Sequence, residues 1–428
     1  MSSLTRLIAS RRSILKLGLA NTLASMLGLG QQAGAVENSG DTFESVSSSS
    51  AANSTPSQAR FISGARRAED DYVAVVLDEQ ANIVSMVSLP ARAHGAASHA
   101  ASHRACVFAR RPGLYISAFD IRNPDDHRCI QPVHGRNFYG HGAFSGSGNT
   151  LFVTENDFDH ARGVLGVYDA SGGYRRVAEM GTDGIGPHDV VRVPGSELLV
   201  VANGGIKTHP DSGRDKLNIE TMSPSLTIID TRLGKVVGRA QVPHDLHQVS
   251  LRHLVCDAQG IVWFAGQYEG SDPTAPALAG SLSIRESMDS YRSGPSSAGM
   301  NWLLLPMSLN ARLAGYLSSV ALVGDHVVFT SARGGVAFWV HRTTRRVEAS
   351  MSVFDGSGVA AGCAVDATHP DLAIASDSDA SESQASYCTE QAFITSGTGE
   401  LTRWHNGSVN LAKPFSVQWD NHLHRVDL

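Results

Sequence analysis

The sequence predicts an all-β protein, a seven-bladed β-propeller, and three observations predict it. The first is a repeated pattern. HGAFSGSGNTLFVTEND begins at His141, HDVVRVPGSELLVVANGG at His188 and HLVCDAQGIVWFAGQYEG at His253. Each holds a His, a short apolar run, a Gly-bearing turn, a second apolar run and a polar cluster. That is a β-hairpin with polar groups at both open ends. A fourth copy, HGAASHAASHRACVFARR, begins at His94. The second observation is the spacing, which is 47 residues from 94 to 141 and again from 141 to 188. A period of about 40–50 residues with four strands per unit belongs to a propeller. The third is composition: 42 Gly and 42 % hydrophobic residues in 428, with 7 % aromatic. Many turns, a sizeable core and few long apolar helices fit an all-β chain.

Taken in order, residues 1–35 read as an export signal. Ser10-Arg11-Arg12-Ser13-Ile14-Leu15-Lys16 resembles the twin-arginine box, with Ile14 where Phe is usual. A weakly apolar run follows, and Ala33-Gly34-Ala35 is an A-x-A-type cleavage site. The run is too short and too rich in small residues for a stable membrane span. The expected location is therefore periplasmic, by a route that carries folded proteins. Residues 36–58 are rich in Ser, Ala and Asn and are expected to be a disordered linker. The propeller is expected over 59–428.

Outer hairpins recur after the histidine-led ones. The first strand of Tyr72-Val73-Ala74-Val75-Val76-Leu77-Asp78 and of Leu226-Thr227-Ile228-Ile229-Asp230 ends in Asp just before a turn. An Asp there bonds turn NH groups, a structural role. Weaker inner hairpins begin at Ser319 and Gly362, and Trp419–Val426 reads as one more inner strand with His422 in the histidine slot. Blade starts therefore fall near 94, 141, 188, 253, 319, 362 and 422. The seventh blade is expected to pair one C-terminal strand with three N-terminal strands, which removes exposed edges. Insertions at Ile206–Pro224, Ser271–Met300 and the acidic Asp377–Glu390 are all expected between second and third strands, on one face. Loops elaborated on one face are where binding resides.

The net charge of −6 and pI of about 6.3 leave no basic field for nucleic acid. Five cysteines form an odd set, so at least one is free or pairs between chains. Cys106 with Cys129 and Cys363 with Cys388 are the candidate intra-blade pairs, and Cys256 reads as a small buried hydrophobe. There is no G-x-S-x-G, H-E-x-x-H, P-loop or C-x-x-C-H, hence no evident hydrolase, haem or nucleotide site.

The candidate site follows from the architecture. The first strand of each blade lines the channel, and its start lies beside the end of the antiparallel second strand. The candidate metal ligands at one mouth are His94, His141, His188, His253 and His422, with Ser319 and Gly362 in the other slots. Candidate ligand-binding residues are Glu155, Asn156, Asp157, Asn203, Gln267 and Glu269, with Arg110 and Arg333 also at strand ends. His209 and Arg214 join them from the long third-blade loop, as lid or partner contacts. Imidazoles with carboxylates nearby suit a transition metal, iron or copper for a redox-active site. Other readings stand beside this one. A Gly-His pair in common propellers bonds backbone and a turn Asp, and Gly140-His141 fits that structural role. Protonable rings also suit a small anionic or polar ligand. Glu155-Asn156-Asp157 suits an Asx turn and Asn203-Gly204-Gly205 a tight turn.

Gly140-His141-Gly142, Thr154-Glu155-Asn156-Asp157, Gly184-Ile185-Gly186-Pro187-His188 and Asn203-Gly204-Gly205-Ile206 together resemble one family. So do Thr208-His209-Pro210-Asp211-Ser212-Gly213-Arg214, Gln267-Tyr268-Glu269-Gly270 and Trp419-Asp420-Asn421-His422. The chain is similar to the DUF1513 family of exported bacterial proteins from about Arg60 onward. The resemblance implies a periplasmic seven-bladed propeller of no established activity. It also implies partners among imelysin-like iron-uptake proteins and di-haem peroxidase-like proteins, an argument by analogy. The Ser-rich linker and acidic Asp377–Glu390 insertion depart from the family pattern. The leading expectation is a periplasmic binding propeller accessory to iron uptake or redox. The alternatives are an interaction scaffold with structural histidines, and a lactonase-like or oxidase-like enzyme for which no general base can be named.

Overall fold

Aliphatic runs build the strands, and each run serves two cores. In Leu198–Asn203, Val200 and Ala202 pack with Leu251, Leu254, Val262 and Phe264 on one side. Leu199 and Val201, one residue out of phase, pack with Ala143, Phe152 and Leu165 on the other. Successive side chains of a strand point to opposite faces. Here both faces are covered, so the strand reads as a continuous apolar run rather than an alternation. Burial of each such Val or Leu contributes roughly 1.5–3 kcal/mol. The chain as seen in a computed structural model is described over residues 59–271, 276–293, 299–362, 391–405 and 407–428. The expected signal (1–35), the expected linker (36–58), Cys363, Cys388 and Asp377–Glu390 lie outside the described residues.

Seven small antiparallel sheets form the propeller. Blade 1 comprises Ala93–His99, Arg104–Ala109, Ile116–Asp120 and Asn123–Ile130. Blade 2 comprises Arg136–Phe144, Thr150–Asp157, Arg162–Asp169 and Arg175–Gly181, and blade 3 Pro187–Arg192, Leu198–Asn203, Ser225–Asp230 and Lys235–Gln241. Blade 4 comprises Val249–Cys256, Ile261–Tyr268, Ala279–Ser283 and Asn301–Trp302. Blade 5 comprises Ser319–Val323, His326–Ser331, Val336–His341 and Val347–Ser352, and blade 6 Gly356–Ala361, Gln391–Ser396, Glu400–His405 and Ser408–Pro414. Blade 7 joins both ends of the described chain. Gln418–Trp419 and His424–Asp427 pair with Ala59–Ala68, which pairs with Asp71–Asp78 and that with Ile83–Leu89. Each boundary between neighbouring blades holds its own apolar cluster. The inner strands touch their neighbours in turn, His424–Asp427 meeting both Gly356–Ala361 and Ala93–His99.

Turn chemistry follows the expected pattern. Asp78 Oδ1 accepts from the backbone N of Gln80 and Asn82, and Asp169 Oδ1 from that of Gly172 at 2.8 Å.

Three expectations are corrected. Blade 6 does not begin at Gly362. Its inner strand is Gly356–Ala361, GSGVAA, whose small residues give almost no β signal. They are small because space is: a Cβ on Gly358 would lie 2.5 Å from Thr395 Oγ1. The long connection of blade 6 therefore follows its first strand in the sequence, not its second. The Ser271–Met300 stretch is also no single loop. It contains the third strand Ala279–Ser283 and then helix α1, Ile284–Ser293, before the fourth strand. Ile284 and Met288 of α1 pack into the cluster between blades 3 and 4. Finally, Cys106 and Cys129 are free. Cys106 faces Ala118 and Cys129 faces Ser117, so a whole strand separates them. Two inter-strand steps of about 4.8 Å exceed disulfide reach.

Candidate metal centre

The inner strands deliver their histidines through irregularities in pairing. In blade 1 the register steps from Ala93–Ala109 to Ala96–Val107, with His94 and Gly95 in the step. In blade 2 it steps from Phe138–Glu155 to Gly142–Val153, with His141 inside. His188 is the extra residue between Pro187–Asn203 and Asp189–Ala202. In blade 4 Arg252 is the extra residue, directly before His253. His422 sits where the C-terminal strand breaks between Trp419 and His424. Such bulges bend a strand and re-aim a side chain. Glycines supply the clearance. A Cβ on Gly140 would lie 2.5 Å from His94 Cδ2, and one on Gly95 2.6 Å from His141 Nδ1.

All five rings meet. Centroids lie 4.9 Å apart for His94–His141, 4.7 Å for His94–His422, 4.9 Å for His141–His422 and 4.3 Å for His253–His422. His188 closes the group at 4.9 Å from His253 and 5.2 Å from both His94 and His141. Two triads, His94/His188/His253 and His94/His141/His422, each bring three ring nitrogens within 4.8 Å of one another. Ser319 occupies its expected slot at the cavity wall, and Ser357 rather than Gly362 is the bulge residue of blade 6.

The cluster is buried and electrically neutral. Burial is the main cause that holds all five imidazoles below their ordinary pKa, His141 at about 3. Neighbouring rings add to it for His94, His188, His253 and His422, and Arg110 or Arg252 for the same four. A neutral imidazole is the metal-ligating form. Four ring nitrogens, His94 Nδ1, His141 Nε2, His253 Nδ1 and His422 Nε2, are buried with no hydrogen-bond partner. An unpartnered buried polar atom costs about 1–3 kcal/mol, so four side by side need an explanation.

Outer contacts orient the rings. His141 Nδ1 lies 3.3 Å from Asp189 Oδ1. Asp189 accepts from the backbone N of Val190 and Leu254 through its two oxygens, yet burial pushes its carboxyl up to about 7. Arg252 Nη1 donates to His188 Nδ1 at 3.2 Å, and Nη2 to Glu269 Oε1 at 3.0 Å. This assigns the His188 proton to Nε2, which lies 3.3 Å from His94 Nε2. His188 is thus engaged at both nitrogens, unlike the other four. Below the cluster a cavity of ≈ 290 Å³ runs along the axis, lined among others by Ser98, Phe144, Arg192 and Val359.

The candidate ligand-binding residues divide. Glu269 stands at the cluster through Arg252 and is also paired with Lys216. Glu155 accepts from Tyr168 Oη at 2.7 Å and from Arg176 at 2.8 Å, inside blade 2. Asp157 is held by Arg136, Arg162 and His160. Asn156 donates to Thr208 and so ties down the third-blade loop. Asn203 lies in a buried network with Thr182, Ser225 and Thr227. Gln267 donates to the Leu317 carbonyl. His209 Nδ1 accepts from Asp211 N, and its Nε2 lies 3.5 Å from Asp159. Arg214 is exposed, within electrostatic reach of Arg110. Arg333 stacks over Tyr316 at 4.5 Å. Sequence reasoning missed Asp189 and Arg252. Their only signal was adjacency to a histidine, in His188-Asp189 and Arg252-His253.

Comparison with solved structures finds a similar chain in Kuenenia stuttgartiensis hydrazine synthase, 12 % identical with a TM-score of 0.54. The likeness covers 80 % of this chain and 94 % of that one. At that identity it speaks for the fold alone. No curated protein matches. The model of the protein family of unknown function DUF1513 matches residues 87–426. Most of the propeller, four of its histidine-bearing blades and the closing His422 fall within that match, and the chain belongs to the DUF1513 family.

Proposed function

We propose that the protein binds a transition metal ion, iron or copper, at the five-histidine cluster. It acts outside the cytoplasm as a binding propeller accessory to metal uptake or redox. One observation carries this reading: four buried ring nitrogens on adjacent histidines have no hydrogen-bond partner. A structural role gives such nitrogens backbone or Asp partners, and only His141 has one. The donor set fits the group. Neutral imidazoles suit iron, copper, nickel and zinc, and a carboxylate on the far nitrogen of His141 is a common outer contact of a metal-bound imidazole. His94, His141 and His422, one of the two triads whose ring nitrogens converge, would hold the ion, with Asp189 fixing the His141 tautomer. A bound ion would supply a Lewis-acid or one-electron centre. The protein's own residues supply buried, uncharged imidazoles at the wall of a cavity of ≈ 290 Å³. Export in the folded state, read from Ser10–Lys16, is compatible with loading before or after transport.

The test is metal content and titration on purified mature protein. About one equivalent of iron or copper, lost in the His141→Ala variant while it still folds, is expected. Less than a tenth of an equivalent, with no uptake of Cu²⁺, Fe²⁺ or Co²⁺, overturns the reading.

A second reading, a docking scaffold, is favoured by exposed Leu304 (92 %), Met307 (88 %) and Phe354 (79 %). All three lie on connections between blades 4 and 5 or 5 and 6. It predicts partner binding that survives loss of the histidines.

A further inference from the structure

The charge around the cluster does not match a bare cation. Five neutral imidazoles contribute no negative charge. Most of the charged groups beside them are cationic. Arg252 is nine-tenths buried, touches His188 and keeps its Nε buried without a partner. Arg110 directly follows Ala109, the strand partner of Ala93, and its backbone N donates to Arg92 O at 2.9 Å. That places it beside His94, at the end of the cluster away from the cavity. Its guanidinium is half-buried, with no hydrogen-bond or ion-pair partner among the described residues. Its charged neighbours include Arg92 and Arg214, which repel it, and Asp420. The three acidic groups present are already taken, Asp420 by Arg92, Glu269 by Arg252 and Lys216, and Asp189 by His141 and the backbone N of Val190 and Leu254. Five cations, Arg92, Arg110, Arg214, Lys216 and Arg252, thus face three engaged acidic groups.

A divalent or trivalent ion added to this setting would raise an already positive, poorly solvated field. An anion that bridges ion and arginines removes the conflict. Arginine forks match the paired oxygens of carboxylate and phosphate. We infer that the cluster takes its metal together with a small oxyanion, a carboxylate or a phosphate, bound between the ion and Arg110 and Arg252. The inference rests on the metal reading above. The oxyanion supplies the oxygen donors that the histidines lack, and the arginine mouth selects metal that arrives as an anionic complex over free cation.

Co²⁺ titrations in an oxyanion-free buffer, then with added acetate or inorganic phosphate, test this. One of the two is expected to tighten Co²⁺ binding about tenfold and to shift the cobalt d–d bands. Which of them does so separates carboxylate from phosphate. Arg110→Met should abolish the enhancement and leave binding in oxyanion-free buffer as tight as in the parent or tighter. Arg110→Lys should keep part of it. If Co²⁺ binds and neither anion changes affinity or spectrum, the inference fails and the metal reading stands. An enhancement unchanged in Arg110→Met also overturns it. If Co²⁺ does not bind at all, the metal reading fails and the inference, as stated, fails with it. Phosphate binding measured calorimetrically without metal then shows whether the mouth is an anion site alone.

Discussion

His141 Nδ1 and Asp189 Oδ1 face each other at 3.3 Å across the boundary between blades 2 and 3. The contact explains why His141 Nε2 is left pointing into the cluster without a partner. A carboxylate on one ring nitrogen fixes the tautomer and raises the basicity of the other. Asp189→Asn should therefore weaken Cu²⁺ or Co²⁺ binding about 10–100-fold with little change in the circular dichroism spectrum. Equal affinity in a competition titration would remove Asp189 from the site.

The histidines should not be equivalent. His188 is engaged by Arg252 on one side and His94 on the other, whereas His141 and His422 each have a free Nε2. Losing one ligand of a bound metal is expected to cost His141→Ala or His422→Ala most of their affinity. His188→Ala should retain metal within about tenfold of the parent, by analogy with the loss of an outer contact. A loss in His188→Ala as deep as in His141→Ala would mean that Arg252 releases the ring on binding.

Acid should unfold the protein unusually early. Burial is the chief cause that keeps His94, His141, His188, His253, His422 and His424 below the ordinary pKa of 6.5, His424 at about 4. The unfolded chain takes up protons near pH 6.5 and the folded one does not. Stability is therefore full above that pH and falls below it, by about 1.4 kcal/mol per pH unit for each ring. Asp189 works in the opposite direction. Its folded pKa of about 7 exceeds the unfolded 3.8, so it offsets about one histidine between those values. Tm should drop steeply between pH 6.5 and 5, and added Co²⁺ should raise it at pH 7. A flat Tm over that range would contradict the buried neutral cluster.

Gly140 has φ +105°, and a Cβ there would meet His94 at 2.5 Å. Gly140→Ala should lower stability by roughly 1–3 kcal/mol from backbone strain and weaken metal binding by displacing His94. Wild-type Tm and affinity would show that the loop adapts.

Much of this arrangement was legible because the histidine-led hairpins repeat. His94, His141 and His188 recur at one spacing, and a recurring position in a repeat is a recurring position in space. What escaped was set by local crowding rather than by pattern. Gly356–Ala361 carries no aliphatic run, because its neighbours leave no room for one. Glu155 and Asp157 look available on paper, yet Arg176, Arg136 and Arg162 from within blade 2 hold them. Arg162 and Arg176 lie on neighbouring strands of the same hairpin pair, where charge matching across a sheet leaves no mark in a linear motif. The bulges were invisible for a similar reason: one extra residue in a hairpin is silent until its partner strand is known.

Blade 7 takes its innermost strand from Gln418–Asp427 and the rest from Ala59–Leu89. His422, whose ring touches those of His94, His141 and His253, is thus translated long after them. A chain without Gln418–Asp427 would lack the His422 ring and leave the edge of Ala59–Ala68 naked at the same time.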